Sequence, residues 1–110
     1  MPGKTSKRKL PRRFLKFRKD FPDVAKALEA LGTAASSAGP LDRKQAELIR
    51  LAIAIGAREE GGVHSHTRRA VEAGATAAEI RHVAVLSIAT IGFPNAMAAM
   101  SWVEDILGKV

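Results

Sequence analysis

The side chains with the most chemistry to offer lie between positions 46 and 66, in the segment AELIRLAIAIGAREEGGVHSH. Glu47 stands near its start, Glu59 and Glu60 close an apolar run, and His64 and His66 follow the Gly61-Gly62 pair. A carboxylate beside an imidazole orients the ring and favours its charged form, which is what a general acid–base pair needs near neutral pH. Glu59 and His66 are seven positions apart and would share a face of one helix continued through the glycines. Glu47, from the preceding apolar helix, can point into the same pocket. Catalytic candidates are therefore His66, Glu59 and Glu47, with Arg58, Arg68 or Arg69 available to hold a substrate carboxylate by a two-pronged contact. The plainer reading is a buried Glu–His or Glu–Arg pair, for which Arg50, Arg58, Arg68 and Arg69 are available partners.

A divalent metal ion is the other chemistry open to these residues, since His-x-His near glutamates suits zinc, manganese or iron. Residues two apart in a helix point about 200° away from each other, so His64 and His66 do not meet one ion within a single helix. Glu47, Glu59 and His66 form the better metal set. His82 is expected to be a surface or structural histidine. There is no cysteine in the 110 residues, which excludes disulfides, thiolate nucleophiles and thiolate metal sites.

Helices must position these groups. Pro22 opens one, with Val24, Ala27, Leu28 and Leu31 as its inner face, before the small-residue stretch GTAASSAGP. Asp42 caps the next, whose apolar residues run almost all the way round, so it is expected to be central and covered on nearly every side. The glycine pair is expected to break the chain before a third helix that ends at Gly74. Thr76 and Glu79 form a capping box for the fourth, AAEIRHVAVLSIATIG, which Gly92 and Pro94 stop. Pro94 or Asn95 opens the last, carrying Ala96, Met97, Met100, Val103 and Leu107, with Met97, Met100 and Trp102 serving packing. Nothing alternates with period two for long enough to make a strand, so the class is all-α, a bundle of five to six helices.

The net charge of +7 is unevenly spread. Residues 1–19 hold nine Lys and Arg and no acid, while residues 20–110 hold nine against eleven acids. The expected organisation is a basic tail over 1–19, disordered at first and helical where Phe14, Phe17 and Phe21 make an apolar stripe, followed by a domain over 20–110. The tail suits an anionic partner such as nucleic acid, or serves only as a solubilising arm. No secretory signal pattern opens the chain, and the longest nearly apolar run, Val83 to Gly92, is too short to span a bilayer. A soluble cytoplasmic protein without a membrane partner is expected.

The segment quoted above resembles the signature of the carboxymuconolactone decarboxylase family, including its alkylhydroperoxidase D-like branch. There a glutamate is followed after eleven residues by Cys-x-x-Cys and, three residues on, by a histidine. On this chain those positions are Glu47, Glu59, Gly62 and His66: the spacing is kept and both sulfurs are gone. TRRAVEAGATAAEIRHV and IGFPNAMAAMSWVEDI resemble later parts of the family, so the likeness runs from about Phe21 to Leu107. It implies the alkylhydroperoxidase D-like helical fold and a homo-oligomer, trimer or hexamer, with the site near subunit contacts. Thiol peroxidase chemistry cannot operate without a nucleophilic and a resolving sulfur. The decarboxylase branch does without them, and the implied activity is lyase-like acid–base or metal-assisted chemistry on a small carboxylated substrate. The alternative is a non-catalytic oligomeric binding or scaffold protein whose basic tail meets an anionic partner.

Overall fold

Capping residues and three positive-φ residues, Arg58, Gly74 and Gly92, set the limits of the helices. A computed structural model describes residues 10–108; the expectation for the first half of the basic tail therefore falls largely outside the described residues. The described helices are α1 (Arg12–Asp20), α2 (Pro22–Ser36), α3 (Arg43–Gly56), α4 (Glu60–Glu72), α5 (Ala77–Leu86), α6 (Ile88–Ile91) and α7 (Phe93–Leu107). No strand occurs among the described residues, so the chain is all-α. The expected fourth helix is interrupted at Ser87, giving α5 and the single turn α6; counted together they make six helices.

Two compact units divide at Leu41–Asp42. In the first, α1 and α2 meet at Phe21, where the rings of Phe17 and Phe21 lie 5.5 Å apart. Of the expected aromatic stripe, Phe14 and Phe17 lie on α1, while Phe21 stands in the non-helical joint after it. The expected inner face of α2 does not become one. Val24, Leu28 and Leu31 are 56%, 57% and 65% exposed, and Ala25 alone is buried. The reason is that, among the described residues, α1 is the only other helix in this unit, too little to cover an apolar stripe of that length.

In the second unit, Asp42 caps α3 and Thr76 caps α5, each with its capping box complete: Gln45 and Glu79 reach back to the main-chain N–H of Asp42 and Thr76. The core gathers Leu51 and Ile55 from α3, Val63 and Ala70 from α4, Ile80 and Ala84 from α5, and Ala99 and Val103 from α7. Alanines at three of these places, Ala70, Ala84 and Ala99, let helices approach closely. Contrary to the expectation that α3 be covered all round, Ile49 and Ile53 are 44% and 65% exposed. Leu51, Ala54 and Ile55 fill the face toward the core, and no helix of this unit covers the remainder.

The turns at Gly74 and Arg58 are of the same kind. After α4, Gly74 adopts φ +95°, its N–H bonds to Val71 O and the N–H of Ala75 bonds to Ala70 O, the paired bonds of a Schellman end. Gly74→Ala is expected to destabilise by about 1 kcal/mol or somewhat more, because a Cβ is strained in this conformation; the midpoint of thermal unfolding reads it out.

Ion pairs tie the helices at the surface. Lys44 meets Glu79 at 3.1 Å between α3 and α5, and Arg81 holds both oxygens of Glu104 at 2.6 and 3.0 Å between α5 and α7. The Thr76 main-chain N–H, then the Lys44 ammonium, hold the Glu79 carboxyl below its ordinary value, and the Arg81 guanidinium does the same for Glu104. A carboxyl whose value is lower in the folded state binds protons more readily when unfolded. Its contribution is therefore present above the ordinary value of 4.5 and is lost as pH falls through the lower, folded value. Stability is expected to decline with acidification below that point. Glu104→Gln should flatten the decline, as thermal melts across the acid range would record.

Candidate acid–base site

The expected break between the second and third helices is present, but not at the glycine pair. It falls at Arg58, which adopts φ +56°, with its N–H on Ile55 O and that of Glu59 on Ala54 O. This is a second Schellman end with arginine where glycine is usual, a conformation costing a non-glycine residue about 1–2 kcal/mol. Gly61 and Gly62 lie instead in the first turn of α4. Their use is clearance: a Cβ on Gly62 would sit 3.1 Å from the Ala54 Cβ and 3.4 Å from Glu59 Oε1. The glycine lets α4 lie close on α3.

That close approach brings Glu47 and His66 together. His66 Nδ1 lies 2.9 Å from Glu47 Oε1, and Arg50, one turn along α3, donates from a guanidinium nitrogen to Glu47 Oε2 at 3.1 Å. Glu47 is one of two buried polar or charged residues among those described, at 5% exposure. A carboxylate so placed requires partners on both oxygens, and it has them. A proton on His66 Nδ1 donates to Glu47 in this geometry, with Nε2 on the opposite edge of the ring. No hydrogen bond engages Nε2 among the described residues.

His66 also lines an open depression of about 290 Å³ with Arg50, Ile53, Ala54, Ala57, Glu59 and Gly62. Glu59 precedes the first turn of α4, and its side chain makes no capping bond. Glu59, extended just before α4, and His66, within it, thus line one depression. Of the sequence candidates, His66 and Glu59 line the depression and Glu47 lies buried against His66, whereas Arg58 and Arg69 are exposed and do not line it. Arg50 lines it, although sequence reading gave it only the structural role of pairing with a glutamate. Its place three residues after Glu47 on the same helix was the available signal.

The two histidines of HSH separate as helical geometry requires. His66 faces α3, while His64 turns to α7, its Nε2 3.0 Å from Asp105 Oδ2 and 3.9 Å from Glu60 Oε2. Glu60, His64 and Asp105 offer donor atoms all within 4.8 Å of one another; Glu47, Glu59 and His66 do not make such a group among the described residues. His82 is exposed.

With this geometry in hand, the comparisons decide the lineage. A model described as the carboxymuconolactone decarboxylase family matches residues 22–105. The chain belongs to the carboxymuconolactone decarboxylase family. The crystal structure of an apo carboxymuconolactone decarboxylase family protein from Legionella pneumophila is similar in fold. Its TM-score is 0.73 at 29% identity, over 87% of this chain and 86% of that one. An uncharacterized protein of Haemophilus influenzae is 40% identical over 52 residues, 47% of this chain; the match spans 46% of that relative's length. This family member carries no cysteine at any position. No helix among its described residues is long and apolar enough to cross a membrane.

Proposed function

We propose that the chain is a carboxymuconolactone decarboxylase-like protein that moves protons with Glu47 and His66 rather than electrons with thiols. The observation that supports this most is the Arg50–Glu47–His66 chain of contacts, which ends on an imidazole nitrogen at the wall of a depression. The substrate class is a small carboxylated lactone. In decarboxylation the bond to the carboxylate carbon breaks, carbon dioxide leaves, and the electron pair enters the conjugated lactone. The carbon left behind then takes a proton. His66, protonated at Nε2, delivers that proton, and Glu47 at Nδ1 stabilises the charged ring before delivery and holds its orientation throughout. Glu59 exchanges the proton with solvent. A guanidinium in the wall, Arg50, is better placed than Arg58 or Arg69 to meet the substrate carboxylate.

The reading is tested with a panel of carboxylated lactones, following carbon dioxide release by the wild type and by Glu59→Gln and Arg58→Gly. Glu59→Gln is expected to slow turnover. Arg58→Gly relieves the positive φ and is expected to stabilise the fold by up to about 1 kcal/mol without loss of turnover. Wild-type protein inert toward the whole panel, or turnover untouched by Glu59→Gln, would count against it.

A second copy of the chain is proposed to cover Ile49, Ile53, Val85 and Leu86, whose exposure leaves an apolar surface on this unit. A trimer or hexamer would be read by light scattering. The non-catalytic alternative, a binding scaffold with residues 1–19 on an anionic partner, rests on the tail's charge; salt-sensitive binding lost with those residues would favour it.

A further inference from the structure

We propose that Glu60, His64 and Asp105 form a binding site for a first-row divalent metal ion, zinc above all, on the side of α4 opposite the Glu47–His66 pair. Glu60 and His64 are one turn apart on α4 and project the same way, and Asp105 faces them from α7. His64 Nε2 lies 3.0 Å from Asp105 Oδ2 and 3.9 Å from Glu60 Oε2. Ligand atoms about 2.0–2.2 Å from a tetrahedral zinc ion stand roughly 3.3–3.6 Å from one another, so these separations bracket what an ion requires.

Charge points the same way. Elsewhere in this unit the carboxylates that meet a neighbour across a helix boundary have a basic partner: Glu72 has Arg43, Glu79 has Lys44 and Glu104 has Arg81. Glu60 and Asp105 have no Lys or Arg partner among the described residues, and both turn to one imidazole. Two carboxylates and a neutral imidazole carry two negative charges into one place, which a divalent cation balances and a single imidazolium does not. The set joins a borderline nitrogen donor to hard oxygens, suited to zinc or manganese, and zinc is the tighter of these at a given site. His64 is only 24% exposed, while both acids are half exposed, so water can complete the coordination. An ion here replaces the proton between His64 and Asp105 and clamps α4 to α7.

Calorimetric titration of the full chain with zinc chloride tests this site. One zinc per chain is expected. Because loss of an outer partner alone costs roughly 10–100-fold in metal affinity, His64→Ala and Asp105→Asn should each weaken binding by at least about tenfold. Glu60→Gln, at an exposed position that folding does not depend on, should weaken it too. His66→Ala should leave zinc affinity unchanged, with circular dichroism establishing that each variant is helical. Wild-type chain that takes up no zinc, His64→Ala binding as tightly as wild type, or binding lost with His66 instead, would each overturn the site.

Discussion

His66→Ala is expected to lower turnover of a carboxylated lactone by roughly 10²–10⁴-fold, the usual contribution of a positioned proton-transfer group. The imidazole is the only titratable ring on the depression, and its Nδ1 is already committed to Glu47. Removing it therefore takes away the group proposed to meet substrate, whereas removing Glu47 acts through it. Glu47→Gln should consequently cost less in turnover than His66→Ala, because an amide oxygen still accepts from Nδ1 and keeps the ring oriented. Glu47→Gln also removes the charge from the buried Arg50–Glu47 pair, so a fall in stability of about 1–3 kcal/mol is expected alongside. Steady-state kinetics at saturating and limiting substrate, together with thermal melts, separate the two effects. Equal losses from both variants would argue that Glu47 itself handles the proton.

Leu51→Ala is expected to destabilise the fold by roughly 2–5 kcal/mol, the range for truncating a large aliphatic side chain in a core that collapses only partly. Leu51 has no exposed surface and sits in the cluster with Ile55, Val63, Ile80 and Val103. Each kilocalorie lost shifts the melting midpoint of a domain this size by roughly 4–8 °C, so the variant should melt well below wild type. Ile53→Ala, two residues along the same helix, provides the contrast. At 65% exposure it should move the melt of an isolated chain by no more than about 0.5 kcal/mol. A larger effect of Ile53→Ala that grows with protein concentration would show that a second copy covers this face. If Leu51→Ala instead melts as wild type, the core described here is wrong.

Much of the fold was legible because its signals are local. Asp42 with Gln45, Thr76 with Glu79, Gly74 and Pro22 each carry their structural meaning in one turn of sequence, and each helix begins or ends where they say. The glycine pair misled because glycine serves two purposes. Gly61-Gly62 reads as a breaker, yet Gly62 is needed for the close crossing of α3 and α4, while Arg58 takes the left-handed position. Nothing in the residue type of Arg58 announces that. Burial was the least legible quantity. Val24, Leu28, Leu31 and Ile53 have the periodicity of an inner face, and periodicity records that an apolar face exists, not whether this chain or another covers it.

At the site, sequence placed Glu47 toward the same pocket as His66, and the direct contact between them emerges only where α3 and α4 pack. Asp105 was missed as a neighbour of His64 because the two are 41 positions apart and no local pattern links them. Arg50 was read only as a structural partner, which it is, and its place on the wall of the depression emerges only when the helices are packed.

The most direct test of the central claim is the tautomer of His66, read by long-range proton–nitrogen correlation on nitrogen-15-labelled protein at a pH where the ring is neutral. A proton on Nδ1, an unprotonated Nε2, and a shift of Nε2 on addition of a carboxylated lactone are predicted. A proton on Nε2, or a ring indifferent both to the lactone and to Glu47→Gln, would contradict the account.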